Sequence, residues 1–245
     1  MSAYSLVVVC EADADRRLAT GLGDRVLCEE VEWLDIESLD LHRRWQGLRE
    51  GSSYLKWHQV NTLAKQRGLR IKGRFEDGLG APDARAARLA LQLLATSGRQ
   101  PDAVVLIRDS DGQEERRIGL EQARSSGSWP FPIAIGLAHL SRESWVLAGF
   151  EPQNEAEQER LAGLREELGF DPRFRSESLR GKPGEPRHAK LVLERLTGKD
   201  HEREELCWTG CSLEILRSRG TTLGLAEYLD EVRERIVPIF GVTPP

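Results

Sequence analysis

Long apolar runs are missing from this chain. No stretch approaches the roughly 20 consecutive apolar residues that a membrane-spanning helix needs, so a membrane partner is not expected. The first residues pass straight into an apolar β-branched run, without a basic region ahead of a long apolar segment. A signal peptide is therefore not expected either. A surplus of positive charge is also lacking: 35 Lys and Arg stand against 40 Asp and Glu, for a net charge of −5. That argues against a histone-like coat on nucleic acid while leaving room for a local basic patch. Cysteine is scarce, with Cys10, Cys28, Cys207 and Cys211 and no C-x-x-C pair. Cys207 and Cys211 offer half a zinc site, but His201 is poorly spaced to complete it. Reduced structural thiols in a cytoplasm are the expectation. No G-x-x-x-x-G-K-[ST] loop is present, so any ATP-driven control must come from another chain. Internal repeats and low-complexity tracts are absent as well.

What is present is a soluble globular pattern, 39% hydrophobic and 31% charged over 245 residues, the size of one large domain or one domain with an insert. Apolar β-branched runs at Ser5–Cys10, Ala103–Ile107 and Phe131–Gly136 read as buried strands. Helical segments separate them: the run after Glu11, with Asp13 or Asp15 placed to cap it, then Pro82–Ser97 closed by Gly98, and then about 113–125. Ser141 caps a further one. Cys28–Leu48 fits no single period and reads as a short strand, a loop and a helix. Leu69–Phe75 alternates as an edge strand. This alternation predicts an α/β fold with a mostly parallel sheet and flanking helices over residues 1–150, with an insert at about 30–68. Residues 151–245 read as a mainly helical extension packed on that core. It holds a polar, Pro/Gly-rich basic loop between two helices and ends in a helix from about Thr222 to Phe240.

The stretch DAVVLIRDSDGQEE, Asp102–Glu115, carries the strongest chemical signal. A strand runs into Asp109 and Asp111, one residue apart, with Gly112 to turn the chain. Ligand sites gather at strand ends in open α/β sheets, and paired carboxylates there suit Mg²⁺ or Mn²⁺. The same residue types are ordinary turn formers. A second strand end, in SLVVVCEADAD, carries Glu11, and the two ends are expected to lie side by side. Glu143 follows the strand at 131–136, in the first turn of a helix, where an acid also favours the dipole. Converging carboxylates repel and need a cation to offset them. Held against a phosphodiester, such a cation activates water and stabilises the leaving oxygen.

VVVCE followed by VVLIRDSDG within one α/β unit resembles the Toprim domain, shared by topoisomerases, primases and the overcoming-lysogenization-defect nucleases. The glycine usual after the Toprim glutamate is Ala12 here. IAIGLAHLSRESWVLAG, with Glu143 and Trp145, and GEPRHAKLVLERL, with Lys190, are similar to small Toprim-like proteins of bacterial defence loci, commonly encoded beside an ABC-type ATPase. The resemblance implies a metal-dependent nuclease acting on DNA or RNA, an anti-phage effector controlled by an ATPase partner. A homo-oligomer is compatible with it. Glu11 would be a metal ligand or general base, Asp109 and Asp111 metal ligands, Glu143 an additional acid and Lys190 a phosphate contact.

Rival readings compete. A strand ending in D-x-D-G is also the nucleophile motif of haloacid-dehalogenase-like phosphatases, with Asp109 attacking and Asp111 as acid, though that family carries it on the first strand. A receiver-like domain lacks its other expected residues. Glu121 lies one residue too far to close an EF-hand loop from Asp109. A non-catalytic Toprim-like scaffold subunit is the reading from another class. Tyr54, Trp57, His58, Lys56, Lys65 and Arg67 mix aromatic and basic groups that suit nucleic acid, but Leu55, Val60 and Leu63 make a core stripe the preferred account of that segment. His58 and His139 read as non-catalytic. The basic segments for substrate contact are Arg43–Arg44, Lys65–Arg74 and Arg173–Arg187.

Overall fold

The computed structural model describes residues 3–70, 74–75 and 78–241. The expected α/β architecture is present, with a mostly parallel sheet flanked by helices and a helical C-terminal region. The chain divides into two compact units. One comprises residues 1–108, 113–137 and 228–245; the other comprises residues 109–112 and 138–227.

The first unit is built on strand β1 (Tyr4–Cys10), in which Leu6, Val7, Val8, Val9 and Cys10 are all buried. Such a strand is apolar on both pleat faces because both are covered. Helix α1 (Asp13–Glu30) packs against it, burying Leu18, Leu22, Val26 and Leu27. No side chain of the N-cap, Ala12, caps this helix. Asp15 instead reaches back to accept from the Ala12 amide at 2.9 Å, so the expected aspartate acts from the third helical position. After α2 (Leu39–His42) come the edge strand β2 (Arg43–Gln46) and the short β3 (Leu55–Lys56), both parallel to β1. Here the expectation of strand, loop and helix over Cys28–Leu48 is corrected: Cys28 lies in α1, and the strand follows the short helix. Asp24 explains the inversion. It accepts from Arg43 Nε and Nη2 at 2.7 and 2.6 Å and from Trp45 Nε1 at 2.7 Å, so a strand with two arginines is fastened to α1 by tertiary bonds.

Helix α3 (Trp57–Gln66) buries Trp57, Val60, Leu63 and Ala64, which makes it a core helix. The tryptophan read as a possible stacking surface donates instead to the Ile107 carbonyl at 2.7 Å. Of the edge strand expected at Leu69–Phe75, residues 71–73 lie outside the described residues. Its end, β4 (Arg74–Phe75), pairs antiparallel with β5 (Gly78–Leu79). Helix α4 (Ala84–Ala95) leads to β6 (Ala103–Asp109), then α5 (Glu115–Ser125) and β7 (Ile133–Ala138). Sheet order is β2-β1-β6-β7, with β3 also on β1. Helices α4 and α5 pack together, and the loop before α4 passes close to Gly119 on α5. A Cβ there would lie 1.8 Å from the Pro82 carbonyl oxygen.

In the second unit, α6 (Arg142–Ala148) is the central helix, with Ser144 through Ala148 all buried. Helices α7 (Glu155–Leu168) and α8 (Ala189–Thr197) follow, then α9 (His201–Thr209) and α10 (Leu213–Arg219), with α8, α9 and α10 packed on α6. The final helix, α11, spans Leu225–Arg235, and the 3₁₀ turn Val237–Phe240 completes the described fold. In the first unit, Glu231 on α11 accepts from Arg124 on α5 at 2.7 Å and from the Ile135 amide of β7 at 3.3 Å. Among the described residues no helix is long and apolar enough to cross a membrane.

Candidate functional site

Asp109 ends β6, and Ser110, Asp111 and Gly112 form the turn beyond it. Asp111 sits at φ 47° and Gly112 at φ 75°. A left-handed glycine is ordinary, but a left-handed aspartate is uncommon for a residue with a Cβ. The turn is held by the loop that follows β7. The Ser110 amide donates to Ala138 O at 2.8 Å and the Asp111 amide to Leu140 O at 3.0 Å. In return, the Leu140 amide donates to Ser110 Oγ at 2.8 Å. Leu140 is itself left-handed, at φ 63°, a costly conformation for a bulky side chain. Ser110 is wholly buried, so its hydroxyl is a fixed structural post between the two loops. Ser144 Oγ donates to His139 O at 2.9 Å and to Ser141 O at 2.6 Å, tying the start of α6 to the same loop.

The second loop thus leads directly into the helix that carries Glu143. That side chain is mostly buried and lies 3.6 Å from Arg142, whose guanidinium also bonds Glu204 at 2.7 Å. Lys190 stands exposed in the first turn of α8 and makes no hydrogen bond or ion pair with these acids among the described residues.

Glu11 has a different environment. The register pairs Val9 with Leu106, and two residues further along each strand Glu11 meets Arg108 in an ion pair. Arg108 also bonds Asp83 at 3.1 Å, and Arg116 approaches the same Asp83 oxygen at 3.4 Å. The Arg108 guanidinium lies over the Trp57 ring, 5.5 Å from its centroid. Asp83 stands at the N-cap of α4 at φ 65° and makes no side-chain capping bond there; its carboxylate serves the two arginines instead. This chain of alternating charges, Glu11–Arg108–Asp83–Arg116, escaped the sequence reading. One signal for it was an arginine at the end of an apolar strand, immediately before the first aspartate. Ala12, where the Toprim pattern has glycine, lies at φ −137°, an extended conformation open to any residue, so the substitution costs nothing in backbone strain.

The donor set does not assemble a metal centre as it stands. Among the described residues no group of three or more His, Cys, Asp or Glu could hold a metal ion, and the carboxylate of Glu11 is neutralised by Arg108. Cys207 and Cys211 are both buried and outside any disulfide. Burial pushes the Cys207 thiol up to about 12 and that of Cys10 higher still, the behaviour of inert structural cysteines.

The left-handed Asp111 gives a direct prediction. Asp111→Gly relaxes the left-handed backbone but also removes the interactions of the side chain, so a loss of unfolding free energy of about 1 kcal/mol is expected. Urea unfolding checks this, and a loss above about 2 kcal/mol would make the carboxylate a structural group.

Comparison with known proteins returns no match: no protein-family model, no curated protein and no solved structure matches this chain.

Proposed function

We propose that this protein is a Toprim-like nuclease that hydrolyses phosphodiester bonds in DNA or RNA, with Asp109 and Asp111 as its principal acids. The observation that carries the reading is the Asp109–Gly112 turn. Two carboxylates one residue apart stand at the end of a sheet strand, on a turn that keeps a left-handed aspartate and is bonded along its length to a second loop. Aspartate tolerates a left-handed turn, so the weight falls on the place of the two acids, at a strand end where ligand sites gather in open α/β sheets. Unusual backbone geometry held by its surroundings is a reason to look for function at that place. Glu143 enters the proposal as an accessory acid and Lys190 as a phosphate contact.

Mg²⁺ or Mn²⁺ is the cation such carboxylates suit, and metal dependence belongs to the proposal. Glu11 is assigned to Arg108, which it orients. The reading also carries the ABC-type ATPase partner that the resemblance implies, and with no phosphate-binding loop in this sequence any ATP-driven control would come from that partner.

The test is cleavage of plasmid, single-stranded DNA and total tRNA with Mg²⁺, Mn²⁺ or EDTA, with and without a genetically neighbouring ATPase. Asp109→Ala is expected to lower the rate at least a hundredfold, with an unchanged far-UV circular dichroism spectrum, and EDTA is expected to abolish cleavage. Hydrolysis of a small phosphoester in place of nucleic acid would overturn the nuclease reading in favour of a phosphatase. Inactivity on every substrate would favour a scaffold subunit.

A further inference from the structure

The segment between α7 and α8, residues 169–188, carries a surface that the proposed acids do not use. Phe170–Lys190 holds six Lys and Arg against three Asp and Glu, in a chain of net charge −5. It is therefore a basic region on an acidic protein.

Its aromatic residues are arranged with its cations. Phe174 is 52% exposed, yet its ring is fixed. The Arg219 and Arg173 guanidiniums lie 4.5 and 5.4 Å from its centroid. Both arginines are anchored: Arg173 bonds Glu151 and Asp171 at 3.0 Å each, and Arg219 bonds Glu151 at 2.5 Å and the Ala148 carbonyl at 3.1 Å. Phe170 has Arg175 and Arg187 within 5.5 and 5.9 Å of its ring. Beyond the rings the loop folds back on itself. Arg180 and His188 form a β-bridge, and the Gly181 amide donates to Arg187 O at 2.9 Å. This closure leaves Arg175, Arg180, Lys182 and Arg187 exposed. Beside it lies a cavity of about 580 Å³, lined in part by Ser178, Arg180 and Arg187.

We infer that this face of the second unit binds single-stranded nucleic acid, with Phe174 stacking on a base and the exposed cations Arg175, Arg180, Lys182 and Arg187 tracking the phosphates. An exposed aromatic ring flanked by anchored arginines and bordered by solvent-exposed cations is the chemistry of a stacking platform. Duplex bases offer no free π-face to such a ring, whereas an unstacked strand does. Charge complementarity accounts for the backbone, and the exposed ring accounts for the preference between strand forms. The inference deepens the proposed function and rests on it for the choice of nucleic acid as the ligand.

The test is fluorescence anisotropy of the full-length chain with a labelled 20-mer of thymidylate and a duplex of the same length, in EDTA so that no cleavage intervenes. The single strand is expected to bind at least tenfold more tightly than the duplex. Phe174→Ala is expected to weaken single-strand binding at least fivefold and leave duplex binding unchanged, whereas Phe174→Trp retains it. Because the ring is exposed, the Phe174 variants are expected to melt with the wild type. Arg175→Ala combined with Arg180→Ala is expected to weaken both ligands and to flatten the salt dependence of single-strand binding by about one unit of slope. Equal affinity for the duplex, or indifference of single-strand binding to Phe174→Ala, would overturn the inference. The outcomes separate the two claims. Single-strand binding without metal-dependent cleavage would leave this surface standing and remove the nuclease. Cleavage indifferent to Phe174→Ala, together with unchanged binding, would do the reverse.

Discussion

Replacing Arg203 with alanine is expected to destabilise the protein by about 3–5 kcal/mol, the usual consequence of leaving one member of a buried ion pair alone. Glu157 and Arg203 join α7 to α9 through two charge-assisted bonds, 2.7 Å from Nε and 2.8 Å from Nη2. Nη2 also donates to the Glu151 carbonyl at 2.7 Å, and the guanidinium lies 4.5 Å from the Phe150 ring centroid. Both side chains are nearly excluded from water, at 8% and 4% exposure, so the Glu157 carboxylate, which keeps the Gln153 amide at 2.9 Å and Arg160 at 3.9 Å but loses both short charge-assisted bonds, cannot be rehydrated without opening the packing. Replacing both, as Glu157→Leu with Arg203→Leu, is expected to recover most of the loss, because apolar groups of similar volume need no partner. Urea unfolding of the two variants separates these effects, and a double variant no better than the single one would contradict the account. The same pair sets a pH response. Hydrogen bonds from Arg203 hold the Glu157 carboxyl below the ordinary glutamate range. A lowered carboxyl stabilises the fold above its unfolded value of about 4.3, and that contribution is lost as the pH falls further through the folded value. Acid unfolding of the wild type is therefore expected to set in below about pH 4.3, and the doubly apolar variant is expected to lose that part of the pH dependence.

Trp145→Ala is expected to cost about the same, roughly 3–5 kcal/mol. Trp145 is 1% exposed and heads the fully buried side chains by volume. Its indole nitrogen donates to the Leu223 carbonyl at 2.7 Å, which also accepts from the His139 amide at 2.9 Å, so truncation opens a cavity and removes one of that carbonyl's two bonds. Trp145→Phe separates the two contributions, because it keeps most of the volume and removes only the bond; about 1–2 kcal/mol is expected for it. Thermal denaturation with both variants checks the split. Near-equal losses for Phe and Ala would mean that the hydrogen bond, and not the volume, governs the site. In the sequence, Trp145 stands two residues after Glu143 in a family-like signature. In the structure the indole is core, and its spacing to Glu143 follows from one turn of α6 having a buried and a partly exposed side.

The elements most legible in the sequence were those whose order is local. β1, β6 and β7 are uninterrupted apolar runs, and a strand buried on both faces can be written in no other way. The apolar stripes of α3 and α4 were equally plain. What escaped the reading was held by distant partners. The strand Arg43–Gln46 depends on Asp24, 19 residues earlier, and no local period reports that bond. Helix α9, HEREELCWT, shows no regular apolar stripe, and the side chains it buries beside Cys207 and Trp208 include a charged one, Arg203. Its start is nevertheless marked by Asp200, which accepts from the Glu202 and Arg203 amides at 2.9 and 3.2 Å. At the candidate site, the strand-end position of Asp109 was readable from composition, and the turn after it from Gly112. The partnership of Glu11 with Arg108 was not, since strand register is a property of pairing and not of either strand alone. The left-handed Asp111 was also hidden, because aspartate is at home in several kinds of turn.

The interlock of the Asp109–Gly112 turn with the loop around Leu140 has a consequence for exchange with solvent. The Ser110 and Asp111 amides are bound to carbonyls of the other loop, and the Leu140 amide is bound to a hydroxyl of the first. Neither loop can release its protons while the other stays in place. Two segments some thirty residues apart in sequence should therefore open as one cooperative unit, with matched deuterium uptake at all three amides.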